Sequence, residues 1–249
     1  MSYQEFAYLY DTLMEDVPYD RWVDWVSSLH SRYGGGEKKL LDLACGTGEL
    51  SVRLSHAGFN VTGVDLSEDM LAVAQAKAAE AGLDIPFFHQ DMTQLDSLGE
   101  YDVIGIFCDS LNYLPRSEDV AKAFAGVNAH LKKEGLFLFD VHSIHKMDHV
   151  FAGSPFTYID EEVSYIWNCF PGEHPHSVEH ELTFFVLDDE TGQYDRVDES
   201  HFQRTFKISE YKKMLHESGF ELLGITADFK QAEPGPEAER ILFAARKKA

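Results

Sequence analysis

The sequence predicts an α/β fold, a doubly wound and mostly parallel sheet of seven strands with an antiparallel β insertion after the fifth. Three observations predict it. Between residues 39 and 140, short apolar runs of strand length alternate with segments whose apolar residues recur at helical spacing. The runs lack a polar face, as strands covered on both sides do. After residue 142 the rhythm changes to strand-like segments separated by turn residues, and a helical pattern returns only at residue 209.

Taken in order, Trp22, Trp25, Val26 and Leu29 recur at helical spacing, with Asp20 placed as the cap and Gly34, Gly35 and Gly36 as the stop. Residues 39–44 read as the first buried strand, ending on the loop Cys45-Gly46-Thr47-Gly48. Leu50, Leu54 and Ala57 mark a helix closed by Gly58, and residues 59–64 a second strand ending at Asp65. Ser67 caps a helix that carries Met70, Leu71, Ala74 and Ala78 and stops at Gly82. Residues 85–89 form the third strand, ending at Asp91, and residues 101–107 the fourth. Val120, Phe124, Val127 and Leu131 share a helical face before Gly135 opens the fifth strand, residues 136–140. Right-handed crossovers then place helices on both faces of a parallel sheet.

Beyond it, residues 156–165, 177–187 and 196–206 are strand-like, separated by Pro171-Gly172 and by residues 188–192. A helix over residues 209–218 ends at Gly219. Residues 220–229 and 241–246, on either side of Pro234-Gly235-Pro236, complete the seven strands.

Composition narrows the function. The 249 residues hold 21 basic and 43 acidic side chains, a formal charge of −22, which repels nucleic-acid phosphates. At 44% hydrophobic and 26% charged, the chain is expected to form a single domain over residues 1–249 with a substantial core. Its longest nearly apolar stretch, residues 103–108, is far short of the roughly 18 residues that cross a bilayer. The first ten residues carry acids and aromatics rather than a basic start and an apolar run, so a cytoplasmic location without membrane partners is expected. Cys45, Cys108 and Cys169 are odd in number and widely spaced, and read as small buried hydrophobes. His174, His176 and His180 flank Pro175 without a nearby cysteine, and no metal site is expected.

Ligands of open parallel sheets bind beyond the carboxyl ends of the strands, where strand order reverses. The unusual residues stand at those ends: Asp42 through Gly48, then Asp65, then Asp91-Met92, then Asp109. Asp65 follows Asp42 by 23 positions, the interval at which a ribose-hydroxyl acceptor follows a glycine loop. A nicotinamide dinucleotide is one ligand of such a loop. Three details oppose it. Ser51 stands where the dinucleotide fingerprint wants a third glycine, Asp42 would repel a pyrophosphate but bond an ammonium, and Asp91 can accept from an adenine amine. The implied ligand has an amine, a ribose and an adenine, and no phosphate.

These residues resemble the class I, seven-stranded S-adenosylmethionine-dependent methyltransferases. LLDLACGTGEL, residues 40–50, is similar to their first motif, with Ala44 where a glycine is common. VTGVDLSEDML, residues 61–71, resembles the second and FHQDM, residues 88–92, the third. FDVHS, residues 139–143, resembles the end of their fifth strand. YDTLM, residues 10–14, with the first helix, resembles the N-terminal lid of the small-molecule branch, which implies a lid over residues 1–36.

The resemblance implies S-adenosylmethionine as cofactor. Asp42, Ala44, Gly46 and Gly48 would surround its methionine part, Asp65 its ribose, and Leu66, Met70, Asp91 and Met92 its adenine. Asp109 would lie near the amine or sulfonium, and Tyr10 would close over the carboxylate. In-line transfer of an already activated methyl group asks mainly for positioning and exclusion of water, and His142 is a candidate general base.

Residues 155–206 are the expected seat of substrate selection. Residues 160–199 hold twelve acids and one base, Arg196, with Tyr158, Tyr165, Trp167 and Phe170 nearby, which suits a neutral or cationic small-molecule acceptor. A nicotinamide-dependent oxidoreductase and a non-catalytic cofactor-binding module are the alternatives.

Overall fold

The computed structural model describes Met14 and residues 17–35, 37–188 and 191–249. A first helix, α1 (Tyr19–Tyr33), precedes β1 (Lys39–Leu43), α2 (Glu49–His56), β2 (Asn60–Asp65), α3 (Glu68–Glu80) and β3 (Phe87–His89). Then come β4 (Tyr101–Ile106), α4 (Ser117–His130) and β5 (Leu131–His142). Four strands follow, β6 (Pro155–Ile159), β7 (Val163–Pro171), β8 (Ser177–Asp188) and β9 (Gln193–Arg204), before α5 (Ile208–Glu217), β10 (Phe220–Ala227) and β11 (Arg240–Lys247).

The main sheet has the order β10-β11-β5-β4-β1-β2-β3. Pairs among β1 to β5 are parallel, while β11 runs antiparallel to both β5 and β10. β1 lies between β2 and β4, so the chain winds outward in both directions from it. The crevice for a ligand therefore opens above the carboxyl ends of β1 and β4.

Both faces of the sheet are covered, which is why its strands read as continuous apolar runs. On one face Leu41, Leu43, Ile104, Phe137, Phe139 and Phe243 pack with Phe124 of α4 and Tyr211 of α5. Phe139 and Phe243 stack with ring centroids 4.6 Å apart. On the other face Leu40, Val61, Val103, Leu136 and Leu138 meet Trp22 and Val26 of α1 and Leu50 and Leu54 of α2.

Local signals fared unevenly. The Ser67 hydroxyl caps α3 by accepting from the Met70 amide, as its position predicts. Asp20 does not cap α1. Pro18 holds that position, and Asp20 instead pairs with Arg53 of α2 at 2.8 Å. Strand β5 starts at Leu131, immediately after α4, earlier than the apolar run that begins at residue 136.

The insertion has four strands, in the order β6-β7-β8-β9, rather than the three that the sequence suggested. Residues 156–165 do not run as one strand, because the chain reverses at Asp160, Glu161 and Glu162. The Asp160 amide donates to the Val163 carbonyl, and the Asp160 carboxylate accepts from the Glu162 amide. Side-chain capping by aspartate makes this turn without glycine or proline, so the usual punctuation is missing. A 3₁₀ turn (Ser110–Tyr113) after β4 and a π-helical turn (Lys146–Phe151) after β5 also went unread. The latter supplies Met147 and Phe151, which pack on Cys169 and Val178 and seat the insertion.

Candidate functional site

The loop after β1 is built on left-handed backbone. Ala44, Gly46 and Gly48 have φ of 63°, 55° and 74°. A side chain on Gly48 would bring its Cβ to 2.8 Å from the Ala74 Cβ, so this glycine lets α2 start against α3. Gly46 differs, since a Cβ there meets nothing within 4 Å and projects into open space. Ala44 tolerates a geometry that glycine would adopt more readily.

Asp65, at the end of β2, ties this loop down by accepting from the Gly46 amide at 2.7 Å and the Ser67 amide at 2.9 Å. Burial raises its pKa against the pull of those amides. Asp42 lies deeper, at the base of the crevice. Its carboxylate accepts from the Ser51 hydroxyl at 2.5 Å, which explains why serine stands where a dinucleotide loop has glycine. Burial pushes the Asp42 carboxyl up to about 7 and the Asp65 charge adds to this, against the Ser51 hydrogen bond. Asp91 accepts from the Thr93 amide at 2.7 Å and hydroxyl at 2.8 Å, which fixes the turn after β3.

These pieces enclose a cavity of about 370 Å³. Of the residues proposed from the sequence, Asp42, Ala44, Gly46, Asp65, Leu66, Met70, Asp91 and Met92 line it together. Tyr19, Cys108, Tyr113 and His201 join them, and no lysine or arginine does so among the described lining residues. Gly48 lies outside the lining, in its packing role. Tyr10 lies outside the described residues.

Asp109 and His142 do not line the cavity either, and the structure gives them other work. Asp109 follows Cys108 in left-handed backbone, with φ of 53° and 54° for the two. Its carboxylate turns inward, to Arg240 Nη2 at 2.9 Å, Gln203 Nε2 at 3.0 Å and His142 Nε2 at 3.1 Å. Burial opposes its ionisation, but His142 and the Arg240 guanidinium outweigh this and hold the carboxyl well below the usual carboxylate range. His142 is 5% exposed, and burial pushes its imidazole down against the pull of Asp109. Its Nε2 is committed to Asp109, while Nδ1 is buried with no partner among the described residues. With Nε2 committed to Asp109 and the residue outside the cavity lining, this geometry does not support the general-base role expected of His142.

Sequence reasoning missed the rest of this network. The fully buried Asp140 accepts from Trp22 Nε1 at 2.7 Å and from the amides of Cys108 and Asp109, each at 3.0 Å. It also pairs with Arg240, whose guanidinium lies 4.9 Å from the Trp22 ring centroid. One carboxylate thus holds the strained Cys108-Asp109 wall against α1 and β11. Its only sequence signal was its place at the end of β5, since Trp22 and Arg240 are 118 and 100 positions away.

Contacts from the insertion complete the site. His201 of β9 lines the cavity and meets Tyr113 edge to face, with centroids 6.0 Å apart. Asn112 Nδ2 donates to the Arg204 carbonyl at 2.8 Å, and Arg204 donates to the Pro115 carbonyl at 2.8 Å.

The doubly wound sheet has a crevice that combines a glycine loop, strand-end acids and apolar walls, and residues 40–135 match the methyltransferase domain family. The chain belongs to the class I S-adenosylmethionine-dependent methyltransferases. A Geobacillus sp. (strain WCH70) protein provisionally named a methyltransferase is 53% identical over 99% of this chain and 100% of its own. A crystal structure of an S-adenosylmethionine-dependent methyltransferase from Clostridium acetobutylicum is 33% identical, with a TM-score of 0.89 over 99% of both chains. The glycine/sarcosine N-methyltransferase of Halorhodospira halochloris is 28% identical over 92% of this chain and 86% of its own. The protein is therefore an enzyme that uses S-adenosylmethionine, which replaces the nicotinamide and non-catalytic alternatives.

Proposed function

We propose that the protein methylates a small molecule that enters between the cofactor cavity and the inner face of the β6–β9 sheet. The observation that carries this is the reach of β9: His201 lines the same cavity as Asp42, Asp65 and Asp91. The cofactor suits this lining, because its ammonium and sulfonium complement buried acids and it carries no phosphate for them to repel. When bound, it supplies a methyl group already activated on sulfur.

The chain's own residues bind and orient. Asp65 is placed to accept from ribose hydroxyls through lone pairs that the Gly46 and Ser67 amides leave free. Leu66, Met70 and Met92 wall the adenine side, with Asp91 at its edge. Asp42 faces the ammonium. The insertion excludes water and presents the acceptor from the side opposite the sulfur, which in-line displacement requires. Helix α1, with Tyr19 on the cavity wall, covers this side of the site, while residues 1–13 of the expected lid lie outside the described residues.

The Halorhodospira relative is named for two small amines, which supports a small acceptor here. The free thiols of Cys45, Cys108 and Cys169 suit a reducing cytoplasm. No helix among the described residues is long and apolar enough to cross a membrane.

The test is a methyl-transfer screen with isotope-labelled cofactor over metabolite extracts and, in parallel, protein and RNA fractions. Label in a low-molecular-weight product supports the reading. Label only in macromolecules overturns it.

A further inference from the structure

We propose that the inner face of β9 carries a subsite for an ammonium group of the methyl acceptor, formed by Glu199 beside His201. The inference rests on the methyl-transfer reading of this cavity and adds the charge of the acceptor.

Alternate residues of a strand share a face, so Glu199, His201 and Gln203 project to the same side of β9. Two of them have known destinations. His201 lines the cavity and Gln203 donates to Asp109 at 3.0 Å, so Glu199 is on the cavity side, roughly 7 Å along the strand from His201. Across the sheet it pairs with Leu182, which forms an apolar patch with Tyr165, Phe184 and Met70. Met70 is itself on the cavity wall.

Glu199 is thus a half-buried carboxylate beside apolar side chains, with no hydrogen bond or ion pair to another described residue. Burial pushes its carboxyl up. An anion in such a place is stabilised by a countercharge, and among the described residues none is paired with it. The only base of residues 160–199, Arg196, lies on the other face and is engaged by Asp198 at 2.8 Å. The cation must come with the ligand, and a net charge of −22 steers cations towards the protein.

His201 complements this role. Burial lowers its pKa, which favours the neutral imidazole and lessens its repulsion of an ammonium. Tyr113 packs edge-on to it and adds an aromatic wall. The acceptor class is a small molecule whose ammonium group is distinct from the methylated atom.

The experiment uses full-length protein saturated with S-adenosylhomocysteine and three probes of matched shape, 2-phenylethylammonium, 2-phenylethanol and 3-phenylpropionate. Their binding is followed by calorimetry and by the imidazole resonances. The ammonium probe is expected to bind at least tenfold more tightly than the alcohol, with the carboxylate weakest, and to shift the His201 signal, which His201→Asn identifies. Glu199→Gln should bring the ammonium probe within twofold of the alcohol. Glu199→Asp should retain part of the preference, and Glu181→Gln, on the opposite face, all of it. Absence of ammonium binding, equal binding of the alcohol, or a preference that survives Glu199→Gln overturns the proposal. Titration with S-adenosylhomocysteine separates the two readings. Normal cofactor affinity without an ammonium preference removes only this inference, whereas loss of cofactor binding by the parent protein removes both.

Discussion

At the residue scale, the acids of the crevice do different work because they are buried differently. Asp42, 2% exposed and with its carboxyl pushed up to about 7, is largely neutral at pH 6 and largely ionised at pH 8. A ligand ammonium favours the ionised form, so S-adenosylhomocysteine affinity should rise from pH 6 to pH 8 and binding should release protons. Calorimetry in two buffers of different ionisation enthalpy measures that release, and Asp42→Asn should abolish it. The sign for the free protein is opposite. A carboxyl whose folded pKa is raised stabilises the fold fully only below its unfolded pKa, and that stability is lost as pH rises through about 7. Asp65→Ala removes both a ribose acceptor and the tether of Gly46, and should weaken cofactor binding by about 1.5–3 kcal/mol. Parent-like affinity of this variant would place the ribose elsewhere.

At the element scale, the site depends on how β4, β5 and β11 are joined at their ends. Arg240, the first residue of β11, bridges Asp140 on β5 and Asp109 beyond β4, so three segments meet at one guanidinium. Arg240→Met leaves two carboxylates buried without their cation. Such a loss costs about 3–5 kcal/mol, to be read from urea denaturation, with S-adenosylhomocysteine affinity falling as the Cys108 wall relaxes. Arg240→Lys keeps the charge but not the fork, and should recover only part of the loss. If Arg240→Met unfolds at the parent's urea concentration, the network is incidental. His142, 5% exposed, joins the same cluster through Asp109 at 3.1 Å.

At the scale of the whole molecule, two sheets meet at one cavity, so a ligand there stabilises both. Binding only to the folded state at 100 times Kd adds about 2.7 kcal/mol, which for a chain of this size raises Tm by roughly 5–10 °C. S-adenosylhomocysteine should produce that shift and NAD should not, as differential scanning fluorimetry would show. An equal shift with NAD would contradict the exclusion of phosphate by the acidic lining. The charge of −22 adds a long-range term, and capture of a cationic acceptor should slow as salt screens it.

The sequence by itself determined the βα alternation and the seven-stranded sheet, and it marked the strand-end residues that line the cavity. These are written in local patterns, namely apolar runs, the cap at Ser67, and small or acidic residues where strands end. Asp42, Asp65 and Asp91 are legible because each follows its own strand directly, and the fold then brings strand ends together. Only the tertiary structure decided the rest. The Asp160 turn, which makes two strands of one apparent segment, carries no glycine or proline. The Trp22-Asp140-Arg240-Asp109 network joins residues up to 218 positions apart, and His142 became part of it through its contact with Asp109. The cavity side of β9 was likewise unreadable. Alternation assigns Glu199 and His201 to one face, but which face looks into the crevice depends on how the insertion docks through Asn112, Arg204 and Gln203. Burial and pairing across such distances are properties of the packed chain, and no local pattern encodes them.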